Sequence, residues 1–195
     1  MSNPVRVIPN FLSTIECAAW IELINELEMS RPQDFTVYET AEGGRRLALQ
    51  FGEKLYDSQQ ARPDLSILGE NRAAAAAIFS RIIKETGSSF ADMNELYPSI
   101  FWLAKQYPGS RIDYHEDTDG GADSHITYSS LVYLNSQRSG GELKFPRYGY
   151  TYVPQAGDLV IFETQQAGMH GVTTIHEERY SLPVWLTVDP AFKLS

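Results

Sequence analysis

Cysteine is almost absent. Cys17 is the single one in 195 residues, so no disulfide can form within the chain and a disulfide-stapled secreted scaffold is excluded. Basic residues are in deficit, 16 against 25 acidic, which leaves a formal charge of -9. That balance argues against a generic electrostatic grip on nucleic acid or an anionic membrane; it suits a neutral or cationic substrate and helps keep the chain soluble. Long apolar runs are missing too: no stretch approaches the ~18 apolar residues of a membrane span, and the first residues show no basic region followed by an apolar core. The expectation is a soluble, cytoplasmic protein with neither membrane nor nucleic-acid partners. The chain also lacks internal repeats, Pro/Ser-rich linkers, a phosphate-cradling glycine loop and a serine in a nucleophile-elbow context.

A composition that is 43% hydrophobic and 12% aromatic suits one globular domain across residues 1–195. Val5 to Ile8 reads as a short strand. Ser13-Thr14-Ile15-Glu16 fits a capping box, in which Ser13 and Glu16 satisfy the free amides of a helix running to about Met29. Asp34 to Thr40 and Arg45 to Phe51 form a strand pair around Gly43-Gly44. A second helix is expected from about Pro63 to Thr86, stopping at Gly87, with Ile78, Phe79, Ile82 and Ile83 giving it a face to bury. Both helices should buttress one sheet, whose further strands begin near Ser99.

Chemistry concentrates later in the chain. His115 and Asp117 stand two apart, and a strand would turn both to one side with Glu116 facing away. With the distant His170 they form the two-imidazole, one-carboxylate set that holds ferrous iron on one face and leaves positions open for oxygen and an organic acid. His170 to Ile175 reads as a strand, His176 to Glu178 as a turn and Arg179 to Val188 as the returning strand, a hairpin that brings Arg179 beside the metal. Alternation puts Arg179, Ser181, Pro183 and Trp185 on one face, where a guanidinium and a hydroxyl can grip one end of a dicarboxylate. Trp185 gains weight as a substrate contact because it shares that face.

The stretch from Tyr107 to Asp189 resembles the prolyl 4-hydroxylase branch of the iron(II)- and 2-oxoglutarate-dependent oxygenases. The matching pieces follow in order: Tyr107-Pro108-Gly109, His115-Glu116-Asp117, Leu131-Val132-Tyr133-Leu134-Asn135, Gly140-Gly141-Glu142-Leu143-Lys144-Phe145-Pro146, Pro154-Gln155-Ala156-Gly157-Asp158-Leu159-Val160-Ile161-Phe162, His170-Gly171-Val172 and Arg179-Tyr180-Ser181-Leu182-Pro183-Val184-Trp185. The resemblance implies a mostly β protein with flanking helices around a double-stranded β-helix, or jelly-roll, in which about 1–98 is the N-terminal helical support and about 99–189 the catalytic core. It implies Fe(2+) on His115, Asp117 and His170, with 2-oxoglutarate and O2 as co-substrates and ascorbate as a further candidate. Arg179 would pair with the distal carboxylate of 2-oxoglutarate, helped by a hydroxyl from Tyr133 or Ser181, and Tyr107 would lie near the substrate.

The implied reaction is oxidative decarboxylation of 2-oxoglutarate, giving succinate and carbon dioxide, coupled to hydroxylation of an unactivated C–H bond. Related halogenases have a small residue where Asp117 stands, so the retained carboxylate points to hydroxylation. The implied substrate is a prolyl residue in a peptide or protein. A free amino acid or other small molecule is the alternative, and loops Asp34 to Gln50 and Thr118 to Ser124 would shape the choice.

Other readings carry less. A cupin-like or non-catalytic jelly-roll metal module is disfavoured by Arg179 and Ser181, and a nucleic-acid demethylase by the acidic balance. His125 falls in a glycine-rich loop and His176 in the turn before Arg179, so neither is taken as a ligand. Asp119 and Asp123 suggest a calcium loop only weakly, since the alternating oxygen pattern ending in glutamate is missing.

Overall fold

The computed structural model describes residues 4–40, 43–51, 56–57, 62–63, 65–90, 95–118 and 125–193. In chain order these form β1 (Val5–Ile8), α1 (Thr14–Ser30), β2 (Thr36–Glu39), β3 (Arg45–Phe51), β4 (Tyr56–Asp57), β5 (Arg62–Pro63), α2 (Arg72–Ser89), β6 (Tyr97–Gln106), β7 (Ile112–His115) and β8 (Tyr128–Tyr133). There follow β9 (Leu143–Phe145), β10 (Tyr150–Tyr152), β11 (Leu159–Glu163), α3 (Thr164–Ala167), β12 (His170–Val172) and β13 (Arg179–Thr187). Seven strands make a large antiparallel sheet in the order β1-β11-β8-β13-β6-β3-β2, and four make a smaller one in the order β10-β9-β12-β7. Mostly β, with two antiparallel sheets and a few helices, this is the jelly-roll.

Helix α1 starts where the sequence places it. The Ser13 side chain accepts from the Glu16 amide, and a Glu16 carboxylate oxygen accepts from the Ser13 amide at 2.7 Å, closing the capping box. Its buried residues Cys17, Trp20, Ile24 and Leu27 recur every three or four positions and face the large sheet. Helix α2 begins later than expected. A 3-10 turn over Ser66–Asn71 precedes it, with Gly69 at φ +54° breaking the helix, and Pro63 belongs to the short β4/β5 pair. It also runs through Gly87 to Ser89, because interior packing of Ile78, Phe79 and Ile82 outweighs one glycine's helix penalty of about 1 kcal/mol.

Both helices pack on one face of the large sheet. Phe101 on β6 is the hub, fully buried with Phe51 stacked at 5.4 Å and the edges of Phe79 at 5.0 Å and Trp20 at 6.4 Å. The opposite face meets the small sheet. At one end a second core of Tyr133, Leu143, Phe145, Val160 and Phe162 fills the space between the sheets. At the other end that space stays open as a cavity of about 350 Å³.

Strand parity decides which residues reach the cavity. On β13, Tyr180, Leu182, Val184 and Leu186 join the helix-side core, while Arg179, Ser181, Pro183 and Trp185 line the cavity. On β6, Phe101 and Leu103 go to the helices, and Trp102, Ala104 and Gln106 to the cavity. The expected hairpin between the His170 and Arg179 strands is not formed. Strand β12 pairs with β7 and β9 in the small sheet, and β13 with β6 and β8 in the large one, so residues 173–178 cross between sheets. Arg179 reaches the cavity from the wall opposite His170.

Candidate metal centre and its cavity

His115 closes β7, and His170 opens β12 directly opposite it in the antiparallel register. A bulge follows between His170 and Val172, where Gly171 lets the strands approach: a Cβ there would lie 2.9 Å from the Ile112 carbonyl oxygen. The two rings face each other with centroids 4.5 Å apart. Asp117 is not on the strand as expected. Strand β7 ends at His115, and the following turn swings the carboxylate back between the imidazoles while Glu116 also lines the cavity rather than facing away.

The donor atoms converge. His115 Nε2 lies 3.3 Å from Asp117 Oδ1 and His170 Nε2 3.7 Å from Asp117 Oδ2; one donor atom from each of the three residues falls within 4.8 Å of the others. Each imidazole is oriented from behind, His115 Nδ1 by the Asp113 carbonyl at 2.9 Å and His170 Nδ1 by the Gly168 carbonyl at 3.3 Å. An Nδ1–H donated to a carbonyl leaves Nε2 as the free lone pair, the outer arrangement that prepares histidine for a metal. Ser129 Oγ donates to Asp117 Oδ2.

Electrostatics agree with a cation site. Burial would raise the Asp117 carboxyl, but the His115 hydrogen bond, the His170 charge and the Ser129 hydroxyl outweigh it and hold the pKa at about 2. Burial pushes the His170 pKa down, in the direction of the neutral imidazole that binds a metal. For His115 burial acts downward as well, yet Asp117 draws the pKa up. Two imidazoles and one ionised carboxylate fit a divalent first-row ion.

Arg179 is 1% exposed. Its Nη1 donates to the Gly141 carbonyl at 3.2 Å, its Nε has no partner, and no carboxylate pairs with it among the described residues. Burial accordingly pushes its pKa down. The Tyr133 ring lies 5.4 Å from its guanidinium carbon, and the buried Tyr133 hydroxyl interacts with the guanidinium and partly opposes that shift. Ser181, directly opposite Tyr133 in the strand register, lines the cavity beside Arg179. Of the two expected helper residues, Tyr133 thus lies against the guanidinium, and Ser181 lines the cavity two residues along β13 from Arg179.

Tyr107 goes elsewhere. It shares the parity of Phe101 and Leu103, so its ring turns to α1, where the hydroxyl bonds Glu28 and Lys105 lies 5.0 Å from the ring. Trp185 does line the cavity, edge-on to Trp102 at 4.8 Å. His125 stacks on Phe192 at 4.7 Å, and His176 Nδ1 lies 3.2 Å from Ser139 Oγ, both outside the cluster. Asp119 and Asp123 lie outside the described residues. Arg46, Gln106 and Ser129 were not anticipated. The signal for Arg46 was parity: Leu47, Leu49 and Phe51 are apolar, which puts residue 46 on the other face.

A jelly-roll that brings two imidazoles and a carboxylate together beside a buried cation defines the class of non-haem metal oxygenases. Residues 101–187 match the model of the 2OG-Fe(II) oxygenase superfamily. The superfamily uses Fe(2+), 2-oxoglutarate and O2. No curated protein matches the sequence. Among solved structures, the chain is similar to an oxidoreductase of the 2OG-Fe(II) oxygenase family from Burkholderia pseudomallei, with TM-score 0.70, 17% identity and coverage of 95% of this chain and 85% of that one. A Pseudomonas putida prolyl-4-hydroxylase gives 0.63 at 18% identity, over 96% and 94% of the two chains. A Trichoplax adhaerens prolyl hydroxylase, in complex with a hypoxia inducible factor peptide fragment, gives 0.66 at 16%, over 97% and 86%.

Proposed function

We propose that this chain is a 2-oxoglutarate-dependent dioxygenase that hydroxylates an unactivated C–H bond of an amino-acid residue, a prolyl residue in a peptide or protein being the first candidate. His115, Asp117 and His170 hold Fe(2+), and Arg179, with Ser181 or Tyr133, holds the distal carboxylate of 2-oxoglutarate. The observation that carries this reading is a buried guanidinium with no carboxylate partner among the described residues, in the same cavity as three converging metal-type ligands. The prolyl preference draws on the prolyl hydroxylases among the similar structures.

Bound iron with 2-oxoglutarate supplies the oxidising power for C–H cleavage. The chain's own residues supply geometry. Asp117 stays ionised, and its Ser129 contact fixes which oxygen faces the cavity. Arg179, held by Gly141, presents a fixed cation at the closed end, where a planar fork matches a carboxylate. Phe145 and Phe162 pack on His170 at 5.7 and 4.8 Å, which shields that ligand from water.

The test is succinate formation with iron and 2-oxoglutarate across peptides and free amino acids, with mass spectrometry for a product heavier by one oxygen atom. Absence of 2-oxoglutarate binding and of turnover across the panel refutes the reading in favour of a metal-binding module.

A further inference from the structure

The cavity holds a second group of donors that neither the metal cluster nor Arg179 uses. Arg46 on β3 stands in register with Gln106 on β6, and Gln106 in register with Arg179 on β13, so the three form one row across the sheet on its cavity face. The Arg46 guanidinium carbon sits 4.2 Å from the Tyr38 ring and 5.8 Å from the Trp102 ring. It pairs with no carboxylate among the described residues. Burial pushes its pKa down, with the neighbouring Arg179 charge acting the same way. Close by, the Nε1 atoms of Trp102 and Trp185 and the Nε2 atom of Gln106 are buried without partners.

Each such donor is unfavourable until it meets an acceptor, and four donors around one space call for an acceptor-rich group. The chain's own carboxylates do not serve. Asp113 is held by Arg111 at 3.0 Å, Asp117 by the two imidazoles and Ser129, and the Glu116 carboxylate lies by Gly168, where a Cβ would stand 3.6 Å from Oε1. Arg46 is also partly exposed, whereas Arg179 is enclosed, so the two cations sit at different depths, with backbones two strand spacings or roughly 10 Å apart. The deep one suits the co-substrate and the outer one an incoming molecule. The rings of Tyr38, Trp102 and Trp185 give that molecule's hydrocarbon part an apolar wall.

On the reading of this site as a 2-oxoglutarate-dependent oxygenase, we propose that Arg46, with the indole N–H groups of Trp102 and Trp185 and the Gln106 amide, binds a carboxylate of the primary substrate. The substrate is then a free amino acid, or the C-terminal residue of a short peptide, oxidised on its side chain, which narrows the prolyl candidate above to proline with a free carboxylate. An internal prolyl residue of a long chain has no α-carboxylate to offer.

The experiment compares matched pairs, free acid against amide, for the amino acids and for dipeptides ending in each of them. Turnover is followed by mass spectrometry, and 2-oxoglutarate binding by calorimetry with Mn2+ in place of iron. The acid is expected to exceed its amide by about tenfold or more in kcat/KM, carried by KM, as for loss of a charged hydrogen bond. Arg46→Gln should bring that ratio to about one with 2-oxoglutarate affinity unchanged, and Arg46→Lys should retain part of the preference; melting curves establish that both variants fold. Equal use of acid and amide overturns the proposal. So does a loss of 2-oxoglutarate affinity in Arg46→Gln, which would make Arg46 a co-substrate residue, and so does a panel in which no free carboxylate compound is bound or turned over. Failure of the wild-type protein to bind 2-oxoglutarate at all instead refutes the oxygenase reading beneath it.

Discussion

Replacing Arg179 by methionine should make the metal-free protein more stable while removing its affinity for 2-oxoglutarate. The guanidinium is 1% exposed and has one hydrogen bond, to Gly141 at 3.2 Å, and one ring contact, to Tyr133 at 5.4 Å. Methionine has a similar reach without the charge. The effective penalty for enclosing a cation is several kcal/mol. Losing the Gly141 bond forfeits about 1 kcal/mol and losing the ring contact about 1 kcal/mol more. A net gain of about 1–2 kcal/mol remains, and at about 2–4 °C per kcal/mol for a chain of this size the melting temperature should rise by roughly 2–8 °C. Urea and thermal unfolding without metal measure this. A second series, with Mn2+ held constant throughout, adds 2-oxoglutarate at about 100 times its dissociation constant, which should stabilise the wild type by a further ~2.7 kcal/mol and the variant by nothing beyond the Mn2+ effect both share. A variant less stable than the wild type by about 1 kcal/mol or more, or one that keeps the ligand-induced shift, refutes the account of Arg179 as a buried cation awaiting an anion.

Other consequences can be checked with similar tools. Asp117→Ala should abolish hydroxylation and metal binding, and Ser129→Ala, which removes only the hydroxyl that orients Asp117, should weaken metal affinity by about 10–100-fold in a Co2+ or Mn2+ titration. Gly44→Ala should destabilise by about 1–3 kcal/mol in urea, because its Cβ would fall 2.3 Å from the Gly109 carbonyl oxygen, a backbone atom that cannot step aside. Glu28 should confer a pH-dependent contribution. Burial acts to raise its carboxyl, but the Tyr107 hydroxyl and the Lys105 ammonium, 2.9 Å away, outweigh it and lower the pKa. A depressed carboxyl stabilises fully above its unfolded pKa of roughly 4.3 and loses that contribution as pH falls through the lower folded value. The stability gap between wild type and Glu28→Gln should thus be steady near neutrality and close below about pH 4; a gap that persists there contradicts the assignment.

Local rules were readable in the sequence where they act alone. The capping box set the start of α1, and alternation along β13 sorted Arg179 and Ser181 from Tyr180 and Leu182 without error. The spacing of His115 and Asp117 picked out the cluster, though through the wrong local structure: a turn, not a strand, places the carboxylate. Which sheet a strand joins depends on pairings far apart in sequence, and the segment from His170 to Arg179 therefore read as a hairpin when it bridges two sheets. Tyr107 illustrates the same limit. Its parity with Phe101 sends it to the helices, but the face that Phe101 takes is set by α1 and α2, packed from elsewhere in the chain. Gly69 delayed the start of the expected helix because its backbone takes a positive φ, which composition alone does not reveal.

The position of β1 and β3 bears on how this protein can be dissected. Strand β11 is covered on one flank by β1, and β6 by β3, both from the first third of the chain. A fragment confined to residues 101–187 would carry every proposed iron and co-substrate ligand, yet it would bare two unpaired strand margins and the greasy face on which α1 and α2 rest. Such a piece is primed for self-association through those margins, so the segment that bears the chemistry is not portable without its amino-terminal wrapping.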